Sequence, residues 1–124
     1  MAQVNLSAGE WRVMEELWRN PATLMELVRA LGESAGWAKS TVSTMVRRME
    51  AKGLIRAEQE GKAKVFSPQV AREEAAAAET ESLLTRVYHG SVGLMVSTLL
   101  QNRQISPAEL EELQAILEGK EGRT

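Results

Sequence analysis

The chain has 124 residues, 44% hydrophobic and 26% charged, with a formal net charge of −2 and no cysteine. That length fits one compact domain, or a small domain plus an oligomerisation segment, and a monomer of this size buries only about two-thirds of its unfolded surface. The absence of cysteine excludes disulfides, zinc–thiolate sites and thiol nucleophiles and suits a reducing cytoplasm; with no signal-peptide pattern and no run near the ~20 apolar residues of a membrane span, a cytoplasmic chain without membrane insertion is expected.

The charge is unevenly placed. Residues 1–70 carry ten Lys and Arg against eight Glu, a balance of +2, and residues 71–124 carry five against nine, a balance of −4. Within 37–64, seven basic residues stand against three acidic ones, a balance of +4. For contact with phosphates this local footprint matters more than the total.

The first helix opens on a capping box, Ser7 with Glu10, flanked by Leu6 and Trp11 at the staple positions. Trp11, Met14, Leu17 and Trp18 recur at helical spacing and predict one buried stripe, which Asn20-Pro21 ends. A second box, Thr23 with Glu26, opens the next helix; Leu24, Leu27, Val28 and Leu31 form its stripe, and Gly32 is read as its stop.

The stretch 36–53, GWAKSTVSTMVRRMEAKG, predicts a third helix. On a helical wheel Val42, Met45, Val46 and Met49 share one side, while Ser40, Ser43, Thr44, Arg47, Arg48 and Ala51 share the other. Thr41 and Lys52 lie at the margin, Ala38 is a poor cap, and Gly53 ends the helix. A helix in a DNA major groove needs this arrangement: an apolar back to hold it and a front of short polar groups that lets the backbone approach the bases. Arg47 and Arg48 can reach phosphate or the guanine edge, and a threonine methyl can meet the thymine methyl. An ordinary solvated helix is the competing reading. Such helices favour Glu, Lys and strong helix formers, whereas this helix carries two serines and two threonines, all weaker formers.

After Gly53 the period changes. Residues 54–59 and 64–67 read as short strands joined by a turn at 60–63, and Pro68 ends the second. The turn adds Lys62 and Lys64, while Lys39 and Arg56 widen the charged margin. Three helices and then a hairpin is the order of a winged helix-turn-helix. The remainder reads as helical: about 69–88, broken by Gly90; about 91–101; and a last helix with Ser106 as cap, Pro107 in the first turn, Glu109 completing the box and Gly119 as stop. Val92, Met95, Val96, Leu99 and Leu100 make the middle helix apolar around much of its circumference, and Leu110, Leu113, Ile116 and Leu117 stripe the last. Three appended helices cannot hide that much apolar surface, which marks an interface.

Several segments, in this order and spacing, resemble the penicillinase-repressor or BlaI/MecI-type winged-helix repressors, a family that also includes copper-responsive relatives. They are LSAGEWRVMEELW at the start, W-x(3)-T-V-x-T-M-V-R-R-M-x-x-K-G at 37–53, EGK and VFSP in the hairpin, RVYHGSVGLMV, and ISPAELEELQAIL near the end. The resemblance spans nearly the whole chain. It implies a homodimer joined through the C-terminal helices, each N-terminal domain placing its third helix in the major groove of an inverted-repeat operator. Thr41, Thr44 and Arg48 match positions where the family contacts DNA, whereas Ser40 stands where many members have Lys. In β-lactam-responsive members a sensor-linked protease cuts an Asn-Phe bond, at which this chain has Thr98-Leu99. Copper-responsive members carry a C-terminal Cys cluster, which this chain lacks.

His89 is the sole histidine and makes no metal site without cysteine; the Glu pairs read as solvated faces, the tryptophans and methionines as packing. Neither a cofactor nor an enzymatic activity is expected. The fold expected is mainly α with a small β-hairpin wing: a winged helix-turn-helix DNA-binding domain over 1–68 and a helical dimerisation region over 69–124. Its DNA-binding residues are expected to be Lys39, Ser40, Thr41, Ser43, Thr44, Arg47, Arg48, Lys62 and Lys64. Its dimerisation residues are expected to be Val87, Tyr88, Val92, Met95, Val96, Leu99, Leu100, Leu110, Leu113, Ile116 and Leu117. The expected partners are a double-stranded DNA operator, a second copy of the chain and a sensor-linked protease. The alternative is a winged-helix protein-interaction module that never touches DNA, since fold alone permits it.

Overall fold

The computed structural model describes residues 4–102 and 104–119. In chain order it holds α1 (Ala8–Arg19), β1 (Ala22–Thr23), α2 (Leu24–Ala35), α3 (Lys39–Ala51), β2 (Ile55–Glu60), β3 (Ala63–Pro68), α4 (Arg72–Tyr88), α5 (Val92–Gln101) and α6 (Pro107–Leu117). The mainly helical fold with a small antiparallel sheet is that of a winged helix-turn-helix followed by further helices. The chain divides into two compact units, Met1–Thr80 and Glu81–Thr124.

Capping sets the helix starts. Glu10 N–H donates to Ser7 Oγ at 3.1 Å while Ser7 N–H donates to Glu10 Oε1 at 2.8 Å. Thr23 with Glu26 and Ser106 with Glu109 repeat this reciprocal pair at α2 and α6. Ends were less legible. α2 runs through Gly32 to Ala35, because Gly36 rather than Gly32 takes the left-handed backbone conformation, with φ 70°, that stops a helix. Gly36 N–H then donates to the Gly32 carbonyl, and Trp37 N–H to that of Leu31. α4 begins at Arg72, three residues later than expected, because the segment before it is held sideways: Gln69 N–H donates to the Leu54 carbonyl, and the Trp18 indole N–H to that of Val70 at 2.8 Å.

The hairpin turn is tighter than expected. Glu60 pairs with Ala63, leaving a two-residue loop of Gly61 and Lys62, with Gly61 supplying the positive φ of 63°. The sheet also has a third strand. β1 pairs antiparallel with β3, Ala22 opposite Phe66 and Thr23 opposite Val65, giving the order β1-β3-β2.

The core of the first unit joins Val13, Met14 and Leu17 of α1, Leu27 and Leu31 of α2, Val42, Val46 and Met49 of α3, then Leu54, Ile55, Phe66 and Ala75. The stripe expected on α1 needs correction: Val13 is fully buried, while Trp11 and Trp18 are only half-buried at its margin. Their rings meet edge to face, 5.4 Å between centroids. The Arg72 guanidinium lies 5.8 Å from each ring and pairs with Glu15 at 3.1 Å. That arrangement binds the first turn of α4 to α1.

In the second unit, α5 starts on Ser91, whose Oγ accepts from Leu94 N–H at 3.0 Å. No described residue of this unit is buried. No helix among the described residues is long and apolar enough to cross a membrane.

Candidate nucleic-acid interface

Helix α3 buries the side that the wheel predicts, but Thr41, expected at the margin, is exposed, and Ser43 and Thr44, expected on the front, are only half-buried. Val42, Val46 and Met49 are buried against α1, α2 and β2, with Met45 half-buried beside them. Lys39, Ser40, Thr41, Arg47, Arg48 and Ala51 are exposed on the other side, and Ser43 and Thr44 are half-buried at its flanks. Ser40, Thr41, Thr44 and Arg48 line a shallow concavity floored by Met45. Its lining carries three hydroxyl side chains, two threonine methyls and a guanidinium. Such a surface admits a base edge and offers both hydrogen bonds and an apolar contact.

The start of α3 has no side-chain cap, because Ala38 occupies the cap position. Its end is closed by backbone bonds, Gly53 N–H to the Glu50 carbonyl and Leu54 N–H to that of Met49. A helix with small polar residues and no cap is a poor autonomous helix. Three buried side chains hold it instead, so its exposed face is free to serve contact rather than stability.

The basic residues of this region divide into committed and uncommitted groups. Lys52 Nζ lies 2.6 Å from Glu10 Oε2, and Arg56 reaches Glu58 at 4.0 Å. The Lys64 ammonium sits 5.7 Å from the centre of the Phe66 ring, so the exposed cation is steadied by the wing's own core residue. Among the described residues Lys39, Arg47, Arg48 and Lys62 make no ion pair. Four cations with neither an ion pair nor a ring partner among the described residues, three on α3 and one at the hairpin tip, form with Lys64 a surface suited to phosphates.

Burial pushes the Glu10 carboxyl up, but the hydrogen bond and charge of Lys52 with the Ser7 N–H outweigh it, and the net shift is downward. Glu10 therefore stays ionised and paired. Sequence reasoning missed this partnership: it read Glu10 as a cap alone, and Lys52, forty-two positions away, as marginal.

The residues expected at the dimer face are placed as follows. Val87, Val92, Leu100, Ile116 and Leu117 are exposed, Leu117 to 75%. Tyr88, Met95, Val96, Leu99, Leu110 and Leu113 are half-buried. Met95, Val96, Leu99, Leu113 and Ile116 line a common groove between α5 and α6. Thr98 and Leu99 lie within α5, the Thr98 hydroxyl donating to the Leu94 carbonyl at 2.9 Å. Among the described residues no group of His, Cys, Asp and Glu could hold a metal ion.

Comparison with known proteins gives the family and the fold. A family model described as Penicillinase repressor matches residues 6–119. The penicillinase repressor of Bacillus licheniformis is 30% identical over 119 residues, covering 95% of this chain and 93% of its own length. The methicillin resistance regulatory protein MecI of Staphylococcus aureus is 24% identical over 116 residues, covering 93% of this chain and 94% of its own. Among solved structures, monomeric Bacillus licheniformis BlaI in complex with the blaP half-operator aligns with a TM-score of 0.54 at 24% identity, covering 59% of this chain and 90% of that one. MepR, a transcription regulator of the Staphylococcus aureus efflux pump MepA, aligns with a TM-score of 0.50 at 20% identity, covering 93% and 77%. Both share the fold. The chain belongs to the penicillinase repressor family.

Proposed function

We propose that the chain is a DNA-binding transcriptional repressor that acts on an inverted-repeat operator as a homodimer. The observation that carries this reading is the sidedness of α3: a buried apolar back and an exposed front with uncommitted Lys39, Arg47 and Arg48. The front enters the major groove, with Ser40, Thr41, Ser43, Thr44 and Arg48 toward the bases and Arg47 and Lys39 toward phosphate. The wing's Lys62 and Lys64 contact the adjoining backbone. The relative from Bacillus licheniformis carries the name penicillinase repressor, and a BlaI of that organism is known in complex with a half-operator. Both support the assignment.

Dimerisation is supported by the second unit, which buries no described residue and exposes Val92, Leu100 and Leu117. A helical unit without a core of its own needs a second surface to cover it. Thr98-Leu99 is the proposed point of cleavage by a sensor-linked protease. A footprint of the purified protein on DNA flanking its own reading frame tests the proposal. Two protected half-sites about one helical turn apart, roughly 34 Å, are expected. Binding that ignores salt, with no protected site, would favour a protein-interaction module instead.

A further inference from the structure

Lys52 lies at the end of α3, inside the most basic stretch of the chain, and its side chain is 56% exposed. By position it belongs with the cations that meet DNA, but its ammonium is engaged elsewhere. Nζ lies 2.6 Å from Glu10 Oε2, and the Glu10 side chain is only 4% exposed. The other oxygen, Oε1, accepts from Ser7 N–H at 2.8 Å. One buried carboxylate therefore ties the first turn of α1 to Lys52, the cap residue that follows the last turn of α3. About two turns earlier on α3, Met45 makes a second contact with the same turn: its Cε is 2.9 Å from where a β-carbon on Gly9 would stand. α1 thus meets α3 at two points, by close approach at Gly9 and by the ion pair at Glu10.

An exposed ion pair is worth little, but a buried carboxylate that loses its cation is strongly penalised. A pair of this kind sets geometry more than it adds stability. We infer that Glu10 and Lys52 are positioning residues for DNA recognition, registering α3 against α1 and holding the Lys52 ammonium off the phosphates. This rests on the DNA-binding reading of α3.

The test uses the full chain with Glu10→Gln and Lys52→Met. Glutamine at Glu10's position keeps the capping box, and methionine keeps most of the lysine stem. Each protein is titrated with a duplex that the wild-type chain selects from random sequence, and with an unrelated duplex of equal length, between about 50 and 200 mM salt. Both variants are expected to lower the ratio of selected to unrelated affinity about tenfold, the effect of one mismatched base pair. Lys52→Met is expected to keep the wild-type salt slope, whereas Lys62→Ala flattens it by about one unit. A Lys52→Met slope flattened by the same unit would make Lys52 a phosphate contact and overturn the inference. So would an unchanged ratio in both variants, whatever their urea midpoints, since a merely structural pair moves stability alone. If Glu10→Gln fails to fold, Lys52→Met decides the matter by itself. A wild-type chain whose binding neither selects a sequence nor responds to salt would bring down the DNA-binding reading, and this inference with it.

Discussion

Arg48 and Met49 are consecutive on α3 and lie on opposite sides of it, so truncating each to alanine separates the two jobs of the helix. Met49 is fully buried. Its truncation removes Cγ, Sδ and Cε, each worth about 0.8 kcal/mol of transfer free energy, and leaves a cavity that adds about 1–2 kcal/mol, for a loss of about 3–4 kcal/mol. Against a domain stability of about 5–15 kcal/mol the variant stays folded at 25 °C. With an m-value near 1.5 kcal/mol/M the urea midpoint is expected to fall by about 2 M, while operator affinity per folded molecule holds within a few-fold. Arg48→Ala is expected to do the reverse. Its side chain is exposed and makes no ion pair among the described residues, so the midpoint moves by less than about 0.5 kcal/mol equivalent. Affinity for the selected duplex falls by about 1–3 kcal/mol and specificity relaxes at one position. Urea denaturation followed by circular dichroism, together with fluorescence-anisotropy titration, reads both quantities. Arg48→Ala with a large loss of stability, or with unchanged affinity, would refute the sidedness on which the reasoning depends.

Trp18→Phe keeps one six-membered aromatic ring but removes the pyrrole half of the indole and with it the 2.8 Å bond to the Val70 carbonyl; a loss of at least about 0.5–1.5 kcal/mol is expected from urea denaturation, and no loss would mean that the segment before α4 is held otherwise. Because the Glu10 carboxyl is held below its usual range in the folded chain, the stability it contributes is present above the unfolded value of about 4.3 and lost as pH falls through the lower folded value. Glu10→Gln should flatten that acid limb, and an unaltered limb in pH-dependent denaturation would contradict the pairing. Leu117→Glu places a charge on a side chain that is 75% exposed in the single chain. If a partner covers it, the dimer dissociation constant seen by sedimentation rises at least about tenfold, from the loss of about 1.5–3 kcal/mol of burial; an unchanged constant would remove Leu117 from the interface.

The helix starts were legible because a capping box is local: Ser7 with Glu10, Thr23 with Glu26 and Ser106 with Glu109 each lie within one turn. The sidedness of α3 was legible for a similar reason, since its period of 3.6 holds over thirteen residues. What escaped depends on partners distant in the chain. β1 is two residues long and exists only because Val65 and Phe66 run beside it. The stop of α2 lay between two glycines, and the choice falls to Gly36, where Trp37 N–H turns back to the Leu31 carbonyl. Trp18 looked like core, but its indole N–H meets the Val70 carbonyl and the Arg72 guanidinium lies over its ring. On the candidate DNA face the same logic applies: residue type marked the basic residues, but the counter-charge that removes Lys52 from the free set is on another helix.

On the function proposed for this chain, the front of α3, with the hairpin tip, is the surface that meets DNA. Chemical-shift mapping of the isotope-labelled chain, titrated with its selected duplex, addresses it most directly. The expected result is that Lys39, Ser40, Thr41, Thr44, Arg47, Arg48 and Lys62 shift together, while the buried Val42, Val46 and Met49 move little. Shifts confined to α5 and α6, with α3 unmoved, would contradict it.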